Sequence, residues 1–183
     1  MIFETERLIL RPWSEGDAAD LYEYAKDPDV GPSVGWPPHT SVENSREIIK
    51  TVLSEPETYA VVLKETGKPV GSIGVFEPTC HEDYIDREKC EYEVGYWIGK
   101  PFWGRGLIPE AVRELQKHCF ETLGASGMWL RYSEGNTKSA RVAEKCGFSH
   151  HHTEIYVLNP FFKKTETKHF TYISKEKWTV YDN

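Results

Sequence analysis

Between Gly95 and Val112 the chain reads GYWIGKPFWGRGLIPEAV, and no other stretch narrows the possible folds as much. The residues from Cys90, CEYEVGYWIG, alternate Tyr92, Val94, Tyr96 and Ile98 against Glu91, Glu93, Gly95 and Trp97, which predicts a strand. That strand runs into Trp103-Gly104-Arg105-Gly106, and a helix is expected at once, from about Leu107 to Leu123. Its apolar residues Ile108, Ala111, Val112, Leu115, Cys119, Phe120 and Leu123 keep a 3–4 spacing, and Gly124 suits the residue after the helix end. Glycines in such a turn permit positive φ and close approach of a ligand to the backbone. The N–H groups and positive dipole end of the new helix form an anion site suited to a pyrophosphate. The plain alternative is a tight strand–helix turn without a ligand. The stretch matches neither G-x-x-x-x-G-K-[ST] nor G-x-G-x-x-G, so ordinary nucleoside triphosphate and dinucleotide sites lose ground.

The rest of the chain supplies strands and helices in mixture. Glu6 to Trp13 predicts an opening strand, and Ser14 caps a helix that stops near Asp27-Pro28. Asp29 to Thr40, with two glycines and three prolines, reads as a loop, and Ser41 caps a second helix ended by Pro56. Tyr59–Leu63 and Pro69–Phe76 read as a hairpin, and Thr79 to Asp86 as an exposed acidic turn. Further on are a strand at Met128–Tyr132, a helix at Thr137–Cys146, and two closing strands at Thr153–Leu158 and Lys168–Ser174. This is an α/β or α+β pattern around one sheet.

At 183 residues without an internal repeat or linker, the chain is expected to form one domain, residues 1–183. Twenty-two Lys and Arg against 29 Asp and Glu give a net charge of −7, the reverse of what a nucleic-acid partner favours. The acidic balance weakly favours cationic substrates. No run of about 20 apolar residues suggests a membrane span, and the charged N-terminus MIFETERLILRPW does not read as a secretory signal. A cytoplasmic protein is expected, with Cys80, Cys90, Cys119 and Cys146 as reduced thiols. Cys119, on the apolar stripe of its helix, reads as core. His150-His151-His152 invites a metal reading, but successive strand residues point to alternating faces, so only His150 and His152 would share a ligand; no metal is expected.

A second informative stretch is NTKSARVAEKCGF, Asn136 to Phe148. Asn136 as helix cap, Gly147 in the left-handed position after the helix and Phe148 packing back explain three of its residues structurally. They do not explain why Asn136, Ser139 and Arg141 occur together thirty residues after a glycine-rich anion site.

W-G-R-G, a helix, a strand and then N-x-x-S-x-R-V-x-E-K-x-G-F, in this order, resemble the GCN5-related N-acetyltransferases, or GNAT family. The opening T-E-R-L-I-L-R-P-W and the G-Y-W-I before the turn are similar to the RimJ/RimL-like branch, which acetylates N-termini of ribosomal proteins. The resemblance runs from Thr5 to about Trp178. It implies a single mixed, mostly antiparallel twisted sheet of about seven strands flanked by about four helices. A splayed parallel strand pair would bind acetyl-CoA, with no metal. Pantetheine would pair with the backbone of Tyr96, Trp97 and Ile98, and the diphosphate would lie on Trp103, Gly104, Arg105, Gly106, Leu107 and Ile108. Asn136 would be a pantetheine or water ligand or a cap alone, and Ser139 would protonate the departing thiolate or merely bond its helix backbone. The oxyanion donor would be a backbone N–H near Val94–Tyr96. Glu93 would be the base, an amine-binding carboxylate or a solvated strand residue, with Glu91 its competitor. Trp36, in its Pro/Gly loop, would line the acceptor groove.

One departure stands out. The family's loop ends in Gly or Ala, whereas Ile108 places a branched side chain there and Pro109 removes an N–H, which is expected to crowd the phosphates. The expected activity is acetyl transfer from acetyl-CoA to an amine, foremost a protein or peptide N-terminal α-amine, by a monomer or homodimer. The alternatives are a small-molecule amine acceptor (aminoglycoside, polyamine or amino acid) and a non-catalytic acetyl-CoA-binding module.

Overall fold

The computed structural model describes residues 1–80, 82–85 and 88–181. Eight strands follow the order β1-β2-β3-β4-β5-β6-β8-β7 in one sheet. They are β1 (Phe3–Glu4), β2 (Leu8–Arg11), β3 (Thr58–Leu63), β4 (Lys68–Phe76), β5 (Glu91–Ile98), β6 (Gly127–Ser133), β7 (Ser149–Asn159) and β8 (Lys164–Ser174). The α-helices are α1 (Ala18–Ala25), α2 (Gly31–Val34), α3 (Val42–Thr51), α4 (Leu107–Lys117), α5 (Thr137–Lys145) and α6 (Lys175–Tyr181). The strand and helix counts exceed the expected seven and four because β1, α2 and α6 are short and carry weak sequence signals. Among the described residues no helix is long and apolar enough to cross a membrane.

The chain divides into two compact units, each built from two segments. The first comprises Met1–Gly74 and Tyr96–Ala111; the second comprises Val75–Gly95 and Val112–Asn183. In the first unit, β3 and β4 carry near-continuous buried runs, and Ala18, Leu21, Ala25 and Ile49 form a helical core with Trp13, Trp36 and Trp97 packed on it. Ser14 caps the first turn as its sequence suggests. Its side chain accepts from Gly16 N–H, while Asp17 returns a bond to Ser14 N–H, which completes a capping box. Burial alone would raise the Asp17 pKa. The Arg11 guanidinium and the Ser14 N–H outweigh it and hold the carboxyl below its usual range. The Pro/Gly loop expected from Asp29 to Thr40 contains the single turn α2, ended by Gly35 at φ 102°.

The second unit pairs β6 with β8 over seven residues, from Gly127↔Ser174 to Ser133↔Lys168. Met128, Leu130 and Ile173 are fully buried on one face, and Trp129 and Phe170 are buried on the other. Local end signals act as the sequence implies. Gly147 takes φ 79°, and the N–H groups of Gly147 and Phe148 donate to the carbonyls of Glu144 and Ala143. α4 continues through a π-helical turn, His118–Thr122, before Gly124 at φ 72°. The stretch expected to be an exposed acidic turn holds a 3-10 turn at Glu82–Tyr84 with Asp83 and Tyr84 exposed, but Cys80 is buried against Trp129 and Phe170. An apolar thiol and Ile85 give that segment something to bury, which its carboxylates obscure in the sequence. His81 and Asp86 lie outside the described residues.

Glu110 joins several polar groups of the first unit. Its Oε1 accepts from the Thr5 hydroxyl and from Arg7 N–H (2.8 Å), and its Oε2 accepts from Arg7 Nε (2.7 Å) and pairs with Nη2 (2.6 Å). Arg7 Nη1 then donates to the carbonyl of Arg105 (2.9 Å), within the glycine loop. The Thr-Glu-Arg-Leu opening is thereby tied to the start of α4. Burial would raise the Glu110 pKa, but bonds from Thr5 and Arg7 and the charge of Arg7 bring it below the ordinary value. The folded pKa is depressed, so this contribution is present above the unfolded carboxylate pKa and is lost as pH falls through the folded one. Urea unfolding should show Glu110→Gln less stable by about 1–3 kcal/mol at pH 7, with the gap narrowing below pH 4. A gap equal at both pH values would contradict this role.

Candidate active site

The glycine loop lies in the first unit. Gly99 leads into a 3-10 turn, Lys100–Phe102, and Trp103 Nε1 donates back to the Ile98 carbonyl at 2.9 Å, which pins the loop to the end of β5. Gly104 and Gly106 take φ 75° and 77°, the left-handed region where a side chain is strained. The first intrahelical bond of α4 runs from Glu110 N–H to Gly106 O (3.3 Å), so the N–H groups of Leu107 and Ile108 precede the helical ladder. Pro109 is the third helical residue, a position whose N–H the ladder does not use. Ile108 departs from expectation. Its side chain is only 6% exposed, and that of Leu107 2%, so the branched group is packed inward and does not stand over the loop. The helical stripe it belongs to explains this, since Ile108, Ala111, Val112 and Leu115 are all buried.

Tyr96, Trp97 and Ile98 form the last turn of the β5 pleat, with Ile98 buried and the other two half-buried. Gly71 of β4 lies against them; a Cβ there would stand 2.3 Å from the Trp97 carbonyl oxygen. Trp36 packs edge-on to Trp97, ring centres 5.7 Å apart, and over Gly31, whose absent Cβ would overlap its ring. Its half-buried ring is thus seated in the helical core. Buried His39 beside it shares a 2.8 Å hydrogen bond with Ser45 Oγ, and burial lowers its pKa.

The paired residues of the parallel strands lie in the second unit. β5 and β6 pair only at Glu91↔Gly127, Tyr92↔Met128 and Glu93↔Trp129, although β5 continues to Ile98 and β6 to Ser133. That early end of the register is the divergence which the sequence resemblance implies. Glu93, at the last pair, is 1% exposed, so it is no solvated strand residue. Its Oε1 meets Arg131 Nε at 2.9 Å, and its Oε2 accepts from Thr79 N–H (2.8 Å) and Thr79 Oγ1 (2.6 Å). Glu91 is likewise engaged, accepting from Trp129 Nε1 (2.8 Å) and from the Tyr172 hydroxyl (2.9 Å). Gly127 makes room for that tyrosine, because a Cβ there would lie 1.9 Å from its oxygen. Burial, then the charges of Glu93, Glu154 and Glu91, push the Cys80 thiol up to about 11, so it is no nucleophile at neutral pH. Arg131, Thr79 and Tyr172 are residues that sequence reasoning missed; the register of β5, β6 and β8 brings Arg131 and Tyr172 to the two glutamates, and the segment after β4 brings Thr79.

Asn136 caps α5, its Oδ1 accepting from Ser139 N–H at 3.1 Å, and both residues are half-buried. Buried Cys119 is a core residue, as expected. Among the described residues no group of three or more His, Cys, Asp or Glu side chains is arranged to hold a metal ion.

Comparison with known proteins agrees with this geometry. Residues 7–149 match the model of the acetyltransferase (GNAT) domain. The N-acetyltransferase p20 of Bacillus licheniformis, itself uncharacterized, is 31% identical over 149 residues, 79% of this chain and 80% of that protein. YdaF of Bacillus subtilis, provisionally named a ribosomal N-acetyltransferase, is 39% identical over 64 residues, 35% of each chain. The structure of the microcin C7 self-immunity acetyltransferase MccE, in complex with acetyl-CoA and AMP, superposes with a TM-score of 0.75 at 18% identity, covering 93% of both chains. A match of that extent, on a chain whose parallel strands part after three residue pairs, means that the protein belongs to the GNAT family and is an N-acetyltransferase.

Proposed function

We propose that this protein transfers the acetyl group of acetyl-CoA directly to the N-terminal α-amine of a protein or peptide. The observation that carries the donor half is the loop from Trp103 to Ile108. Two glycines hold positive φ ahead of a helix start, and Glu110 braces the loop through Arg7. Backbone N–H groups in this setting suit a diphosphate. The likeness to MccE, solved with acetyl-CoA, supports the same donor. The acceptor half rests on the stretch shared with YdaF and on the resemblance of the Thr5–Trp13 opening to the RimJ/RimL-like branch.

In this reading the backbone of Tyr96, Trp97 and Ile98 pairs with pantetheine, and a backbone N–H near Val94–Tyr96 stabilises the developing oxyanion, a contribution of about 3–4 kcal/mol in comparable sites. The Ser139 hydroxyl gives its proton to the departing thiolate, and Asn136 fixes the helix turn that presents it. Glu93, held between Arg131 and Thr79, is the carboxylate that faces a cationic acceptor, while Trp36 shapes the acceptor side through its packing. An α-amine asks little of a base, since with a pKa of about 7.7–8.0 roughly a tenth of it is neutral at pH 7.

Thiol release from acetyl-CoA, measured with peptides beginning in alanine or serine and with spermidine, glycine and kanamycin, tests the acceptor. Turnover is expected with the peptides; turnover confined to the small amines would overturn the peptide assignment. Gly106→Val should abolish thermal protection by acetyl-CoA, because a branched residue resists positive φ and moves the loop; an unchanged thermal shift would show that the loop is only a turn. Ile108→Ala should lose about 2–5 kcal/mol of stability through its cavity while acetyl-CoA affinity measured by calorimetry stays within about threefold. Tenfold tighter binding would instead show that Ile108 crowds the donor.

A further inference from the structure

The face of the sheet that carries Glu93 also carries a cation with donors to spare. Arg131 follows Trp129 by two residues on β6, and Trp129 is the register partner of Glu93, so all three side chains lie on one face. Arg131 opposes Phe170 of β8, and Phe170 opposes His152 of β7, whose ring stacks on it at 4.7 Å. His151 is the extra residue of a β-bulge. The alternation expected for the three histidines therefore fails, and His151 and His152 meet, their Nδ1 atoms 2.8 Å apart. Arg131 thus has an aromatic residue as its neighbour on β8 and the Glu93 carboxylate on β5.

Glu93 holds the guanidinium by one edge. Its Oε1 pairs with Arg131 Nε at 2.9 Å, while its Oε2 is taken by the N–H and the hydroxyl of Thr79. The glutamate side chain is 2% exposed and held by three contacts, whereas the arginine side chain is 36% exposed. A guanidinium has five N–H donors in one plane, four of them on Nη1 and Nη2. Among the described residues none of those four has a hydrogen-bond acceptor. The Nε edge is anchored to a buried group, and the Nη pair is left over in a plane that Glu93 sets. Water serves these donors in the free protein. A planar oxyanion serves them better, because two parallel N–H···O bonds match its two oxygens.

Position decides which oxyanion this is. Arg131 lies beyond Glu93↔Trp129, the last pair before the parallel strands part, and it holds the residue that precedes Val94. With the oxyanion forming near Val94–Tyr96 and the donor's phosphates on the glycine loop, an anion at Arg131 belongs to the acceptor. Glu91 and Glu93 stand on the same face, and their charges penalise a phosphate dianion about twice as much as a carboxylate. We propose that Nη1 and Nη2 of Arg131 bind a carboxylate of the acceptor, one residue from the amine that is acetylated, and so select peptides with an acidic second residue. This assignment rests on the acetyl-transfer reading above. The ion pair then meets an acceptor of matching charges, with its ammonium towards Glu93 and its carboxylate on Arg131.

The test follows thiol release from acetyl-CoA with two short peptides, one beginning Ala-Asp and one Ala-Asn, which differ in charge and hardly in shape. Free alanine and free aspartate are the amino-acid acceptors beside them. In the wild type kcat/KM for the Asp peptide should exceed that for the Asn peptide by about tenfold, chiefly through a lower KM. Arg131→Lys keeps a cation for Glu93 and removes the planar fork. It should retain thermal protection by acetyl-CoA, which shows that it is folded, and bring the Asp/Asn ratio below about threefold. A wild-type ratio within twofold would overturn the carboxylate site without any variant. A tenfold ratio that Arg131→Lys retains would overturn the role of Arg131. Turnover of the free amino acids and of neither peptide would overturn the acidic peptide as the source of the carboxylate. A wild type protected by acetyl-CoA yet inert towards every amine would overturn the transfer reading, and the acceptor site with it.

Discussion

Glu110 is the constraint on which the glycine loop of this protein depends. A glycine loop with two residues in the left-handed region has many conformations open to it, and its N–H groups form an anion site only when one of them is held. Glu110 sits on the first turn of the helix that the loop opens, and Arg7 spans from its carboxylate to the Arg105 carbonyl. Charge-assisted bonds of this kind are stronger than neutral ones, and here they fix one side of the loop while the Trp103 indole fixes the other. The Thr-Glu-Arg-Leu opening thus has a physical function: it anchors an edge strand and sets the loop in the same contact.

In the second unit the organising feature is the short parallel register. Three residue pairs bring Glu91 and Glu93 beside Trp129 and Arg131, and Tyr172 and Thr79 complete their hydrogen bonds. A buried carboxylate left unpaired would be costly, so its donors are as necessary to the fold as to any chemistry.

What the sequence makes legible is local. Asn136, Gly147 and Phe148 end their helix as their types imply, since capping involves only neighbours in the chain. Gly104 and Gly106 reveal their positive φ for the same reason. Ile108 shows its burial through the helical stripe it belongs to, although the family pattern draws attention to the loop instead. Thr79, in a stretch read as an exposed turn, reaches Glu93 fourteen residues later, and nothing in composition signals that bond. The bulge at His151 is hidden too: alternation presumes an unbroken ladder, and one inserted residue reverses which histidines meet.

The central claim is that backbone amides of the braced loop receive the donor's diphosphate. It is tested most directly by following the amide resonances of Gly104, Arg105, Gly106, Leu107 and Ile108 during titration with CoA and with pantetheine, which lacks the diphosphate. The account predicts large shifts of these five amides with CoA and little change with pantetheine. Equal shifts with both ligands, or CoA binding that leaves all five amides unmoved, would contradict it.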